Sequence, residues 1–298
     1  VRILVVNSGS SSLKLRVIED DDTASEVDDL PAIAEGTDPG PLLRIVEGYG
    51  RIDAVGHRVV HGGTLFTGPV TIDDEVIKRL RELVDLAPLH QPKSLAALDT
   101  LRGTLPKVPA IACFDTAFHA TLPASAATYA LPKAWRERWG LRRFGFHGLS
   151  HSYAAARAAE LVNRPLESLR LVTCHLGAGV SLAAVREGRS IDTTMGFTPL
   201  EGMVMATRSG SVDPGLLIWL EQSGGVRPDE LADGLEHRSG LQGLAGTPDM
   251  REVLAAAGAG GAEAVLALDV YMHRLRAGIA AMTATLGGLD GLVFTGGV

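Results

Sequence analysis

Two stretches of the chain repeat one local pattern, and that repetition constrains the fold more than any other feature. In each, an apolar strand runs into a small polar turn containing glycine and then into a return strand. The first copy is residues 2–6, then Asn7-Ser8-Gly9-Ser10-Ser11-Ser12, then the alternating run 13–19. The second is residues 169–175, then Gly177-Ala178-Gly179, then residues 180–185. A hairpin is marginal by itself and must recruit further strands or helices to bury its apolar face. The chain is therefore read as α/β, with two halves built on one plan and a boundary at residues 121/122.

The rest of the chain supplies the partners. Residues 54–60, 108–114, 190–194 and 292–295 read as strands, the second and last of them buried. Residues 73–86, 94–101, 150–163, 216–221 and 262–286 read as helices, with Asp73 and Asp74 favouring the start of the first. The acidic run 19–29 reads as a solvated loop. The segment 124–143 is mixed.

Bulk properties exclude several classes. A net charge of −7 argues against a nucleic-acid partner, which would call for a basic face. No apolar run approaches the roughly 20 residues that span a bilayer. The first ten residues are too short in apolar length for a secretory signal. Cys113 and Cys174 each sit in an apolar run, and their spacing fits neither a disulfide framework nor a metal site. The expectation is a soluble cytoplasmic protein with two buried thiols.

Several segments could carry chemistry, although each by itself also fits a structural role. Asn7 to Ser12 could turn backbone N–H groups and hydroxyls toward phosphate, with Lys14 adding charge. Gly56-His57-Arg58-Val59-Val60-His61-Gly62-Gly63 ends a strand with an arginine that could grip a carboxylate or phosphate. Asp115 follows a buried strand, where α/β proteins place site residues. Arg142 to His151 concentrates two arginines and two histidines around glycines, and 192–214 is a long Gly/Thr/Pro-rich loop carrying Arg208.

Their joint occurrence resembles the acetate kinase family. The matching blocks are VVNSGSSSLKL, GHRVVHGG, LAPLH, FDTAFHATLP, RRFGFHGLSH, DTTMGFTPLEG, TRSG with SVDP, TPDMR and FTGG, in family order. The resemblance implies the actin, sugar-kinase and heat-shock-ATPase superfamily, with ATP or ADP in a cleft between the halves. It implies phosphoryl transfer from ATP to acetate with Mg²⁺, with propionate kinase as the nearest alternative, and a homodimer. Asp115, His147, Arg58 and Arg208 would be catalytic. Arg58, Val60, Leu89, Phe146 and Pro199 would bind the carboxylate and its methyl group. Ser10, Ser12, Lys14, His175, Leu176, Gly177, Ala178, Gly179, Asp249, Met250, Arg251 and Gly297 would meet the nucleotide, and Asn7 the metal. Asp115 is expected to orient metal or arginine rather than accept a proton, because a carboxylate substrate needs no base.

The chain departs from the family pattern in places. Ala178 replaces the asparagine of the HLGNG turn, Ser211 follows TRSG in place of an acid, and Gln91 follows LAPLH in place of asparagine. The family also continues past FTGG through an adenosine-binding segment, and its stretch between the first hairpin and GHRVVHGG is longer. The expectation is weak or absent turnover for these 298 residues by themselves, as for a non-catalytic nucleotide-binding or dimerising relative.

Overall fold

The computed structural model describes residues 1–9, 12–31, 38–87 and 91–297. They form two compact units, Val1–Ala120 and Thr121–Val298. Ser10 and Leu89 lie outside the described residues.

The first unit contains β1 (Ile3–Ser8), β2 (Ser12–Ile18), β3 (Ala24–Pro31), β4 (Ala54–Val59), β5 (Val70–Thr71) and β6 (Ala110–Phe114). Their order across the sheet is β3-β2-β1-β4-β6-β5. β1 pairs antiparallel with β2 and parallel with β4, and β4 pairs parallel with β6. Alternation decides which face is buried. Leu4, Val6, Leu13, Leu15 and Val17 pack against Leu42 and Val46 of the helix Gly40–Gly48. Val59, Ala112 and Phe114 pack with Ile77, Leu80 and Leu98 from two further helices.

The opposite pleat carries the polar residues. In register, Lys14 of β2 stands beside Asn7 of β1, Asn7 beside Arg58 of β4, and Arg58 beside Cys113 of β6. Three of these four lie at the C-terminal ends of parallel strands, where open α/β sheets place ligands. Cys113 is only half-buried, which corrects the expectation of two buried thiols. The alternation that buries Ala112 and Phe114 turns Cys113 to the polar side.

The second unit contains β7 (Arg170–Leu176), β8 (Val180–Arg186), β9 (Arg189–Thr193) and β10 (Gly291–Gly296), in the order β10-β7-β8-β9. β7 and β8 are antiparallel, β8 and β9 antiparallel, and β7 and β10 parallel. These senses repeat those of β4-β1-β2-β3, so the two halves do share a plan. β8 is buried from Val180 to Val185, as expected of a strand covered on both faces. Helix Ala262–Leu286 comes close enough that a Cβ at Gly278 would lie 2.7 Å from Leu182 Cδ1.

Three expectations need correction. The acidic run 19–29 is not all loop, because β3 pairs along β2. Its acids find local partners: Arg16 Nη2 lies 2.8 Å from Asp29, and Tyr49 donates to Asp28 at 2.6 Å. Charge on an edge strand blocks further pairing, so acidity there is compatible with a strand. The helix foreseen at 73–86 is Asp74–Glu82 followed by a tighter turn, Val84–Leu86, with Asp73 capping Val76 N–H. β10 is not buried throughout, since Phe294 is 58% exposed. Helix Gly40–Gly48 and the helices Pro228–His237 and Met250–Gly258 were not foreseen.

Candidate active site

In the first unit, the polar row converges on Arg58. Its Nη2 lies 2.6 Å from Asp115 Oδ2, its Nε 3.1 Å from both carboxylate oxygens, and its Nη1 donates to Asn7 Oδ1 at 2.9 Å. The Asp115 side chain is 3% exposed and that of Arg58 25%. Attraction to Asp115 pushes the Arg58 pKa above its ordinary value, outweighing burial. The carboxylate is thus occupied in orienting a guanidinium.

The turn after β4 is built around this pair. Asp115 N–H donates to Val59 O, and Gly62 N–H donates to Thr116 Oγ1. Gln91 Nε2 donates to His61 O at 3.1 Å, and Gln91 Oε1 accepts from His61 N–H at 3.3 Å. Both amide ends of Gln91 therefore hold the backbone next to Val60, which is buried.

In the second unit, His147 ends the RRFGFHG run and begins helix Gly148–Leu161 with φ 56° and ψ 22°. A non-glycine residue in this left-handed region is a mark of local strain and a pointer to function. His147 Nδ1 lies 2.9 Å from Ser181 Oγ, and its ring centroid lies 4.2 Å from that of His175. His175 Nδ1 lies 2.8 Å from Ser150 Oγ.

Gly179 brings this histidine together with Arg208. A Cβ at position 179 would lie 3.1 Å from His147 Cε1, 3.2 Å from Nε2 and 3.5 Å from Arg208 Nη1. The turn is tied to the Arg208 loop by Ala206 N–H donating to Ala178 O at 3.1 Å. Position 178 contributes its backbone here, and alanine supplies that as well as asparagine would. Arg208 Nε pairs with Glu236 at 3.1 Å, while Thr207 Oγ1 donates to Glu236 O. Ser211 Oγ accepts from Gly202 N–H at 3.0 Å, so a hydroxyl holds this loop where the family has an acid.

His175, Leu176 and the Gly177–Gly179 turn lie at the C-terminal end of β7. Leu176 pairs with Gly296 at the end of β10, which brings Gly297 to the same sheet edge. Phe146 is buried and Pro199 half-buried, with Pro199 O accepting from Arg208 Nη1 at 3.4 Å. Asp249 accepts from Arg251 N–H as a helix cap and pairs with Arg251 Nη2 at 2.6 Å, which pulls its pKa down to about 2. Asp249 and Arg251 thus serve each other, and Met250 opens the helix that Asp249 caps.

The comparisons with known proteins agree on one family. The profile described as the Acetokinase family matches residues 42–298. An acetate kinase of Synechococcus sp. is 55% identical over 83% of this chain. The chain belongs to the acetokinase family. Its fold follows: the crystal structure of Porphyromonas gingivalis acetate kinase superposes with a TM-score of 0.89 at 34% identity, covering 98% of this chain and 82% of that one. A propionate kinase structure from Francisella tularensis gives 0.91 at 34% identity, covering 99% and 83%. The aligned region spans 61% of the Synechococcus relative's length.

Three features of this acetokinase site were not read from the sequence. Glu236 sits on a helix that the periodicity did not reveal. Ser181 and Thr173 stand inside runs that read simply as strand; a lone hydroxyl in each was the available signal.

Proposed function

We propose that the protein transfers the γ-phosphoryl group of ATP directly, in line, to acetate, giving acetyl phosphate and ADP. The observation that carries this reading is the convergence of His147 Nε2 and Arg208 Nη1 beside Gly179. Phosphoryl transfer between two anions needs positioning and neutralisation of spreading charge rather than covalent help. His147 and Arg208 would donate to the transferring oxygens. Arg58, held by Asp115 and Asn7, would grip the carboxylate. Its methyl group would need apolar contacts, for which Val60 and Leu89, and Phe146 and Pro199, are the candidates.

The β7 and β10 edge, His175 to Gly179 with Gly297, would meet the nucleotide, together with Met250 and the Asp249–Arg251 pair. Ser10, Ser12 and Lys14 would lie along its phosphates. Among the described residues no group of three His, Cys, Asp or Glu side chains could hold a metal. Mg²⁺ needs no such group, since it binds through one or two protein oxygens plus phosphates and water. Asn7 Oδ1, now accepting from Arg58, is an oxygen suited to that role. Bound Mg²⁺ would neutralise phosphate charge.

The Francisella propionate kinase favours a second substrate reading. One methylene in an apolar pocket is worth about 1–3 kcal/mol, so propionate should also be accepted. Homodimerisation is supported by helix Pro214–Gln222, which has no buried residue and exposes Ile218 and Trp219. No helix among the described residues is long and apolar enough to cross a membrane, and use of ATP favours the cytoplasm.

The test is hydroxylamine trapping of acyl phosphate from ATP, Mg²⁺ and either acid, using the polypeptide its gene encodes. Acetyl and propionyl hydroxamate are expected, both lost in Arg208→Ala. Nucleotide binding without either product would support a non-catalytic relative.

A further inference from the structure

Behind His147 lies a chain of side-chain hydrogen bonds that the proposed reaction does not itself use. Ser181 Oγ is 2.9 Å from His147 Nδ1 and 2.7 Å from His151 Nε2, and His151 Nδ1 is 2.8 Å from Thr173 Oγ1. Ser181, His151 and Thr173 are fully buried. Both ring nitrogens of His151 meet a hydroxyl. That fixes the ring's orientation, since turning it over would set carbons against both oxygens.

Each hydroxyl has one proton to give, and a neutral imidazole has one N–H. Ser181 could accept from both rings only by leaving its own buried proton without either of these partners, which is costly, so the bonds run in one direction. If Thr173 donates to His151 Nδ1, then His151 carries its proton on Nε2 and donates to Ser181. Ser181 then donates to His147 Nδ1, and His147 keeps its own proton on Nε2. In the opposite direction Thr173 must give its proton elsewhere, and the acceptor at hand is Ala183 O at 3.5 Å. Hydroxyl donors normally reach oxygen at about 2.5–3.0 Å. The 3.5 Å separation from Ala183 O is long for a hydroxyl donor, and this favours the first direction, in which Thr173 donates to His151 at 2.8 Å.

We propose that Thr173, His151 and Ser181 are positioning residues that hold His147 as its neutral Nε2–H tautomer. The relay sets an N–H donor, rather than a lone pair, beside Gly179 and Arg208. The inference deepens the proposed function, because it rests on His147 acting as a donor to the transferring phosphoryl group.

Histidine-ring ¹⁵N shifts test it, read by long-range ¹H–¹⁵N correlation at about pH 8.5, where an ordinary imidazole is neutral, without substrate. In the wild type, His147 and His151 are both expected as Nε2–H tautomers. Ser181→Ala should remove the hydrogen-bonded signature of His147 Nδ1 and bring in its second tautomer. In that variant kcat should fall roughly 10- to 100-fold, with the KM values little changed. Thr173→Val, matched in volume, removes the donor that sets the direction and should bring a second tautomer to both rings. Thr173→Ser keeps the hydroxyl and should keep the wild-type pattern. A proton on His147 Nδ1 in the wild type would overturn the proposal. So would ring shifts left unmoved by both Ser181→Ala and Thr173→Val. Since these shifts are read in the resting protein, a failed kinase assay beside the expected shifts counts against the reaction and not against the relay.

Discussion

Asp115 holds Arg58 through both carboxylate oxygens, the shortest contact being 2.6 Å from Nη2, while Asn7 takes the remaining side of the guanidinium. Every described contact of the carboxylate is to a group that needs orienting. Asp115→Asn should leave Arg58 in place but poorly fixed. The KM for acetate should rise more than that for ATP, and stability should fall by about 2–3 kcal/mol, below the cost of breaking a wholly buried pair. Steady-state kinetics with urea unfolding checks both. A rate and acetate KM near wild type would remove any role for the charge.

Gly179 leaves little room between the turn and its neighbours His147 and Arg208. Gly179→Ala would place a methyl 3.1 Å from His147 Cε1 and 3.2 Å from Nε2. The ring must give way by a few tenths of an ångström, and since a misplacement of about 1 Å can cost about 10²-fold in rate, kcat should fall by less than that. The fold should lose less than about 1.5 kcal/mol. Comparison of kcat with the urea midpoint separates the two effects.

Gln91 satisfies both backbone groups of His61 at once. Gln91→Leu leaves a buried N–H and a buried C=O without this partner, at about 1–3 kcal/mol each. Gln91→Asn restores the amide one methylene short and should recover part of the loss. The urea midpoints should rank wild type above Asn and Asn above Leu.

Burial depresses the pKa values of His57 and His61 to about 4. The unfolded chain binds these protons near the ordinary value of about 6.5, so it gains protons first as pH falls. Their contribution to stability is complete above about pH 6.5 and is lost between there and about pH 4. Each should give a slope of about 1.4 kcal/mol per pH unit inside that window. Urea midpoints from pH 7.5 to 4.5 should fall accordingly, and His57→Phe should flatten the fall.

Much of this was legible because it is local. Helix Ala262–Leu286 was read with its observed bounds, and the two strand–turn–strand units follow from alternation over a few residues. β3 was hidden because its acidic composition outweighed its alternation, and the partners that settle it, Arg16 and Tyr49, lie on other elements. At the site, Arg58, Asp115, His147 and Arg208 stood out through their motifs. The groups that aim them did not. Glu236 acts on Arg208 from a helix 28 residues away, and Ser181 reaches His147 across 34, distances at which no periodicity reports.

In the proposed reaction the γ-phosphoryl group passes straight from ATP to the carboxylate while His147 and Arg208 donate to its oxygens. The most direct measurement follows [γ-³²P]ATP with acetate and Mg²⁺ on the polypeptide its gene encodes. Label should appear in acetyl phosphate at about 1–100 s⁻¹, with none retained by the protein. His147→Ala should slow it by about 10²–10³-fold. Label accumulating on the protein, or ATP bound and never transferred, would contradict it.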